Sequence, residues 1–388
     1  MRRRRFLTGV GGAGVIGVVH FSGVVSGATG RTDATDSWPM YSFDSANTGH
    51  AADVTGPVEA VCDRWRFETG YTIGSPAIAD GTVFVGSGDG RVYALSVTEG
   101  TVAWTVETEA PVLTPPAVDG ETVYIPSRDG SLYALSIEDG EIRWRGEFGD
   151  AVIGGGSAPT VVDDSVYIGI EDTVYAVSVT DGTERWHVET ADAVYSTPSI
   201  ANETVFVGSM DDNLYALHAE DGRERWRFET GYVVNTAPAV IDGTVYVGSG
   251  DYHVYALDAE DGSTRWSVET ELWVSASPAF ADHSVYVGGQ DGTIYALRAE
   301  DGREEWTFET GGRVVSSPAI ASDTIYVESL DDYVYALALE DGSERWRFET
   351  DGGSFASAGF LSSPAVSDGT VVVGSSNTGM YALAESIS

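Results

Sequence analysis

Residues 256–266 read A-L-D-A-E-D-G-S-T-R-W, and variants of this stretch return along most of the chain. Each copy ends in one of eight tryptophans, Trp65, Trp104, Trp144, Trp186, Trp226, Trp266, Trp306 and Trp346. Successive tryptophans stand 39, 40, 42, 40, 40, 40 and 40 residues apart. A fixed period of about 40 residues indicates a repeat architecture in which one supersecondary unit is copied.

Each repeat holds four short apolar runs that are rich in β-branched and aromatic residues and alternate in polarity, as strands do. In one repeat these runs are Thr236 to Val240, Thr244 to Gly248, Val254 to Leu257 and Arg265 to Thr270. Asp-Gly pairs such as Asp242-Gly243 separate the runs, and such pairs are typical of hairpin turns with positive φ. Four antiparallel strands in about 40 residues make one blade of a β-propeller.

The number of blades can be counted from a second marker, a tyrosine followed by alanine. This pair occurs at Tyr93, Tyr133, Tyr175, Tyr215, Tyr255, Tyr295, Tyr335 and Tyr381. The last repeat stops at Ser388 without a tryptophan strand, and the strand around Trp65 has no preceding partners. Because these fragments complement each other, the N-terminal strand should close the eighth blade and remove the open sheet edges. The sequence predicts an all-β fold, an eight-bladed β-propeller over residues 62–388.

The charge of the chain is far from balanced. The formal net charge is −39, and all 21 basic residues are arginine. Such a charge repels itself in dilute buffer, whereas about 1 M salt shortens the Debye length to roughly 3 Å and screens the repulsion. A halophilic protein from a salt-saturated habitat is the simplest interpretation, and a merely acidic secreted protein is the alternative. In both cases the phosphates of nucleic acid would be repelled.

The first thirty residues have the layout of an export signal. Residues 2–5 are arginines, and residues 9–25 form a weakly apolar, glycine-rich stretch that is short for a membrane span. Residues 3–7 read R-R-R-F-L and resemble the twin-arginine pattern R-R-x-F-L. We expect a twin-arginine-type signal over 1–30, a linker into the repeats over 31–61, and no transmembrane span in the mature chain. The protein would then be extracellular or at the cell surface, and an unprocessed anchor helix is the alternative.

Disulfide and metal chemistry have little support in the composition. Cys62 is the one cysteine, which excludes an intrachain disulfide and a thiolate cluster. The histidines are scattered and none is paired at metal-ligand spacing. Acidic residues do recur between the second and third strands, and a ring of carboxylates would suit calcium. Because aspartate is ordinary in tight turns and returns in nearly every repeat, we interpret these residues as structural and expect no metal site.

The copies that end in tryptophan resemble the tryptophan-docking motif A-x-D-x-x-x-G-x-x-x-W of quinoprotein-type, PQQ-like propellers. Seven copies are continuous, and the eighth is split between Ala382 and Trp65. The stretch W-P-M-Y at residues 38–41 also resembles the start of these proteins. The resemblance implies that each tryptophan packs between neighbouring blades.

The resemblance also implies two functional branches, and function does not follow from the fold alone. One branch holds dehydrogenases that bind pyrroloquinoline quinone and calcium and use a disulfide between adjacent cysteines. The other holds non-catalytic propellers like the BamB-type outer-membrane assembly factor. Since Cys62 has no cysteine partner and the repeats are nearly uniform, we expect a protein-binding or scaffolding propeller without catalysis or cofactor. A quinone- or calcium-dependent oxidoreductase is one alternative, and a surface-layer or carbohydrate-associated structural protein is another.

Binding residues are best sought where the repeats differ. The connections from the outermost strand of one repeat to the innermost strand of the next vary in length and carry different large side chains. Tyrosine, tryptophan and arginine are enriched in the energetic centres of interfaces. We predict partner binding by Tyr71, Tyr195, Tyr232, Trp273, Arg313 and Phe360. Other exported or membrane-surface proteins are the expected partners of a monomer, and simple plugging of the channel is the alternative role of these side chains.

Overall fold

The computed structural model describes residues 37–71, 73–149, 156–351, 362–367, 369–374 and 379–386. These residues form β-strands joined by turns, and none of them is helical. No helix long and apolar enough to cross a membrane therefore occurs within these ranges. The predicted signal over residues 1–30 lies outside the described residues.

The strands form eight sheets, each with an inner, second, third and outer strand in antiparallel order. Blade 1 consists of β3 (Ala77–Ala79), β4 (Thr82–Gly86), β5 (Arg91–Ser96) and β6 (Val102–Glu107), and blade 2 of β7 (Ala117–Asp119), β8 (Thr122–Pro126), β9 (Ser131–Ser136) and β10 (Ile142–Glu147). Blade 3 consists of β11 (Thr160–Val162), β12 (Ser165–Ile170), β13 (Thr173–Ser178) and β14 (Glu184–Glu189), and blade 4 of β15 (Ser199–Ala201), β16 (Thr204–Gly208), β17 (Asn213–His218) and β18 (Glu224–Glu229). Blade 5 consists of β19 (Ala239–Ile241), β20 (Thr244–Gly248), β21 (His253–Asp258) and β22 (Thr264–Glu269), and blade 6 of β23 (Ala279–Ala281), β24 (Ser284–Gly288), β25 (Thr293–Arg298) and β26 (Glu304–Glu309). Blade 7 consists of β27 (Ala319–Ala321), β28 (Thr324–Ser329), β29 (Tyr333–Ala338) and β30 (Glu344–Glu349), and blade 8 of β31 (Ala365–Ser367), β32 (Thr370–Gly374), β33 (Gly379–Glu385) and β2 (Val61–Glu68). The predicted eight-bladed β-propeller is confirmed.

The N-terminal strand closes the ring, as the two sequence fragments predict. Strand β2 pairs antiparallel with β33, from Val61 opposite Glu385 to Glu68 opposite Gly379. Blade 8 is therefore built from both ends of the repeat region. This pairing gives β33, the third strand of blade 8, a hydrogen-bonded neighbour where it would otherwise be a sheet edge.

The inner strands are shorter than the sequence pattern predicts. In blade 5 the inner strand begins at Ala239 and not at Thr236. The Thr236 hydroxyl instead donates to the Gly248 carbonyl at 2.7 Å and accepts from the Gly248 N–H at 3.1 Å. Because Pro238 has no N–H to donate to a ladder, this side-chain bridge takes the place of strand pairing before Ala239.

Each tryptophan joins its blade to the next one. The Trp266 indole Nε1 donates to the Ala299 carbonyl of blade 6 at 2.8 Å. Its ring lies against Gly302, where an added Cβ would stand 2.8 Å from the indole and where φ is +72°. Glycine is therefore required there for both space and backbone conformation. The other seven tryptophans make the equivalent bond at 2.8 to 3.2 Å.

Residues 37–57, which we call the lacing segment, run along the inner edges of the blades. An inner strand is a sheet edge, and a buried N–H left without an acceptor costs about 1–3 kcal/mol. Carbonyls of the lacing segment accept hydrogen bonds from six inner strands. Each bond runs from a backbone N–H to a carbonyl oxygen at 2.7 to 2.9 Å. The pairs, with the donor first, are Ile78–Trp38, Val118–Pro39, Ile200–Ser45, Val240–Ala46, Phe280–Thr48 and Ile320–Gly49.

The lacing segment then becomes part of blades 7 and 8. Strand β1 (His50–Ala51) pairs parallel with β27 and gives blade 7 a fifth strand. The Pro57 carbonyl accepts from the Trp346 indole at 2.8 Å and from the Tyr326 hydroxyl at 3.1 Å. Blade 8 has no turn between its third and outer strands, because those strands lie at opposite ends of the repeat region. Pro57 supplies the acceptor that such a turn provides to the other tryptophans.

Candidate functional site

One face of the propeller carries two kinds of loop, and we call it the crossing face. The crossings connect an outer strand to the next inner strand, and the middle turns connect the second and third strands of a blade. A threonine at the start of the crossing ties the two together. The Thr270 hydroxyl donates to the Tyr252 carbonyl of the middle turn at 2.9 Å and to the Leu272 carbonyl of its own crossing at 2.7 Å. The same pair of hydrogen bonds is made by the hydroxyls of Thr108, Thr190, Thr230 and Thr310.

The recurring aspartates of the middle turns accept hydrogen bonds that hold the turns together. The Asp251 carboxylate accepts from the Tyr255 hydroxyl at 2.7 Å, from the Gly231 N–H at 2.7 Å and from the His253 N–H at 3.1 Å. Burial together with this bond raises the pKa of Tyr255. Tyrosine–aspartate pairs of the same kind join Tyr93 to Asp89, Tyr133 to Asp129, Tyr215 to Asp211, Tyr295 to Asp291 and Tyr335 to Asp331. The described residues contain no group of three acidic, histidine or cysteine side chains placed to hold a metal ion.

The predicted binding residues lie on the crossing face but at different depths and on different blades. Tyr71 is 56% exposed on the crossing from blade 8 to blade 1. Tyr195 is half-buried on the crossing into blade 4, and Arg313 is exposed on the crossing into blade 7. Phe360 lies outside the described residues. Tyr71 is four blades away from the crossing into blade 5, on the opposite side of the ring.

Two predicted residues from neighbouring crossings touch. The rings of Tyr232 and Trp273 have centroids 5.2 Å apart and are tilted by 49°. Tyr232 is 44% exposed, Trp273 is 37% exposed, and Leu272 beside it is 45% exposed. Tyr252, in the middle turn of blade 5 between these two crossings, is 40% exposed. We call Tyr232, Tyr252, Leu272 and Trp273 the aromatic patch.

Tyr252 is held in an unfavourable backbone conformation. Its φ is +73°, in the left-handed region that a bulky side chain rarely adopts. The other middle turns with positive φ at the equivalent place use glycine or aspartate there, namely Gly90, Gly130, Asp212, Gly292 and Asp332. A strained residue of this kind is a frequent mark of a functional position. The sequence signal is a tyrosine where the repeat favours glycine or aspartate, and the prediction of binding residues missed it because that prediction was confined to the crossings.

A second break in the repeat is a buried glutamate. Near the end of the second strand, where the other blades have a glycine or a proline, blade 7 has Glu328, which is 2% exposed. Its Oε2 atom has no hydrogen-bond partner among the described residues. Burial, with a smaller contribution from Asp332, raises the pKa of Glu328 well above its ordinary value. In five other blades the corresponding glycine packs against a valine of the next crossing, as Gly248 does against Val274.

The repeat sequences match the profile of a known family. The profile, described as outer membrane protein assembly factor BamB, matches residues 62–193, 170–273 and 270–386. This chain belongs to the BamB family. Together the three matches span nearly all of the propeller, so the expected relation to PQQ-like repeat propellers is confirmed. The comparison with curated protein sequences found no match.

Solved structures share the fold of this BamB-family chain at low sequence identity. BamB from Moraxella catarrhalis has a TM-score of 0.70 and 19% identity, covering 84% of this chain and 100% of that one. A europium-containing methanol dehydrogenase has a TM-score of 0.77 and 13% identity, covering 91% and 99%. Quinohemoprotein alcohol dehydrogenase from Comamonas testosteroni has a TM-score of 0.73 and 14% identity, covering 93% and 83%. The same propeller thus serves assembly factors and enzymes, and the likeness concerns the fold.

Proposed function

We propose that this chain is an exported, non-catalytic propeller that binds other exported or membrane-surface proteins through its aromatic patch. The observation that carries the proposal is the concentration of exposed apolar side chains on one blade. Of the eight large apolar side chains that are exposed among the described residues, four belong to the patch. Exposed apolar clusters of this kind are typical of protein interaction sites, whereas single exposed side chains need no explanation.

Membership in the BamB family supports a binding role over catalysis. Cys62, the one cysteine, is exposed on the outer strand β2 and has no cysteine neighbour with which to form a redox pair. The Asp251 carboxylate of the blade 5 middle turn already accepts hydrogen bonds from the Tyr255 hydroxyl and the Gly231 N–H. The basic, glycine-rich N-terminus supports export, since this order of segments is typical of signal peptides.

Photo-crosslinking in the cells that produce the protein tests this function. A photoreactive phenylalanine analogue at position 232 should give discrete protein adducts. The same analogue at position 102 should give none, because Val102 is equally exposed, at 47%, but lies on the outer strand of blade 1. Adducts from position 232 should be lost when Trp273 is replaced by alanine, since truncating a central aromatic anchor typically costs about 2 kcal/mol or more. Equal labelling from both positions, or none from position 232, would exclude the patch as the binding site.

A further inference from the structure

The aromatic patch lies in acidic surroundings. The crossings and middle turns of blades 4 to 7 hold eight acidic residues and a single arginine, Arg313. The acidic residues are Asp192, Asp211, Asp212, Asp251, Glu271, Asp291, Asp331 and Asp332. Glu271 directly precedes Leu272 in the same crossing and is exposed. An apolar surface with carboxylates at its rim attracts a ligand that presents an apolar group between positive charges and repels an acidic ligand.

The strain at Tyr252 is an independent sign that the patch is used. Glycine would relieve the positive φ, and the neighbouring blades show that the fold accepts glycine at this place, as in Gly292 of blade 6. A left-handed conformation costs a non-glycine residue stability. The tyrosine side chain is 40% exposed, so a large part of its surface is free to contact a partner. A large aromatic group kept at such a position is explained by a contact that it makes with a partner.

We infer that the aromatic patch binds a basic peptide segment of its partner, one that inserts a leucine or aromatic side chain between arginines or lysines. This inference rests on the proposed function and names the chemistry of the partner. The apolar anchor would lie on Tyr232, Leu272 and Trp273, and the flanking cations would face the exposed Glu271, while the carboxylates of the middle turns add to the negative potential around the patch. Leu272 offers no polar group, and this favours an apolar peptide side chain over a saccharide as the occupant.

Three synthetic peptides test the inference by fluorescence anisotropy with the full chain. The first alternates tryptophan and leucine with arginine, the second has glutamate for every arginine, and the third has alanine for tryptophan and leucine. The first peptide should bind at least about tenfold more tightly than either analogue. Trp273→Ala should weaken its binding about tenfold or more, whereas Tyr71→Ala, an exposed aromatic across the ring, should change it less than about twofold. Equal binding to wild type and Trp273→Ala would overturn the inference, because it would reveal charge attraction alone.

Tyr252→Gly gives a second test, which separates a role in peptide binding from a purely structural role. This variant should raise the melting midpoint, because the backbone strain is relieved, and should at the same time weaken binding of the basic peptide. His283→Gly is the control, since His283 has φ +70° and is exposed but lies in the turn between the inner and second strands of blade 6, away from the crossings and middle turns. It should raise the midpoint and leave peptide binding unchanged. A Tyr252→Gly variant that binds the peptide as tightly as wild type would overturn the role given to this residue.

Failure of this inference and failure of the proposed function give different results. If position 232 crosslinks to partners through acidic or uncharged segments, the binding function stands and the basic-peptide inference is wrong. If position 232 gives no patch-dependent adduct at all, the proposed function itself is wrong.

Discussion

At the scale of the residue, Glu328 makes the clearest departure from the repeat. An isolated carboxylate is costly to bury, so burial of Glu328, whose Oε2 atom has no hydrogen-bond partner among the described residues, raises its pKa. Between the ordinary glutamate pKa of 4.5 and the raised pKa of Glu328, the folded state binds more protons than the unfolded state. The contribution of this residue to stability is therefore present at low pH and is lost as the pH rises through that window, by up to about 1.4 kcal/mol per pH unit.

Glu328→Gln removes the proton equilibrium while it keeps the shape of the side chain. Relative to wild type, the free energy of unfolding of this variant should increase as the pH rises from about 5 to about 8, because only in wild type does unfolding free a glutamate that releases its proton. Denaturant unfolding at fixed salt measures the difference. Glu340→Gln, which changes an exposed glutamate, is the control and should show no such trend. A Glu328→Gln difference that stays flat across this range would contradict an ionisation that is suppressed by burial.

At the scale of the element, the lacing segment connects the inner strands of six blades. It supplies acceptors to inner strands that are otherwise sheet edges. Its close approach depends on Gly49, which has φ +64° and where an added Cβ would stand 2.8 Å from the Ala279 Cβ and 3.1 Å from the Pro318 carbonyl oxygen. Residues that the sequence pattern presents as a polar linker therefore lie, from Ser37 on, inside the folded propeller.

Gly49→Ala should destabilise the protein more than Gly81→Ala does. Both glycines have positive φ, so both substitutions add backbone strain of about 1–2 kcal/mol. An added Cβ at Gly81 has nothing within 4 Å, whereas at Gly49 it meets backbone and side-chain atoms of two blades, and such overpacking costs a further 1–3 kcal/mol, approximately. Thermal and denaturant unfolding compare the two variants. Equal losses would mean that the segment does not pack tightly against the inner strands.

At the scale of the whole molecule, the net charge of −39 dominates the behaviour in solution. Self-repulsion opposes the compact state, and salt screens it. We expect the melting midpoint to rise steeply with potassium chloride between about 0.1 M and about 1 M, where the Debye length falls from about 10 Å to about 3 Å. Sucrose acts without screening charge, so it should give a smaller rise over the same molar range. A midpoint that is independent of potassium chloride would remove the argument for a halophilic protein.

The architecture could be predicted because it depends on short sequence patterns that recur in every blade. Period, strand length and turn glycines are properties of neighbouring residues, and eight copies of one pattern can be counted without knowledge of any long-range contact. The closing pair of strands followed from two fragments that complete each other, as Trp65 and Tyr381 show. The site was predicted less completely, because Tyr252 and Glu328 stand in turns and strands that otherwise repeat faithfully.

By itself the sequence determined the blade, the number of blades and the closure of the ring, since these depend on spacing along the chain. Only the tertiary structure decided which variable side chains share a surface. Tyr232 and Trp273 meet because the curvature of the ring brings neighbouring crossings together, whereas Tyr71 lies on the far side. Exposure of Tyr252 and burial of Glu328 likewise depend on the blades packed around them. The physical reason is that contact and solvent access are set by residues distant in sequence, and a one-dimensional period carries no information about them.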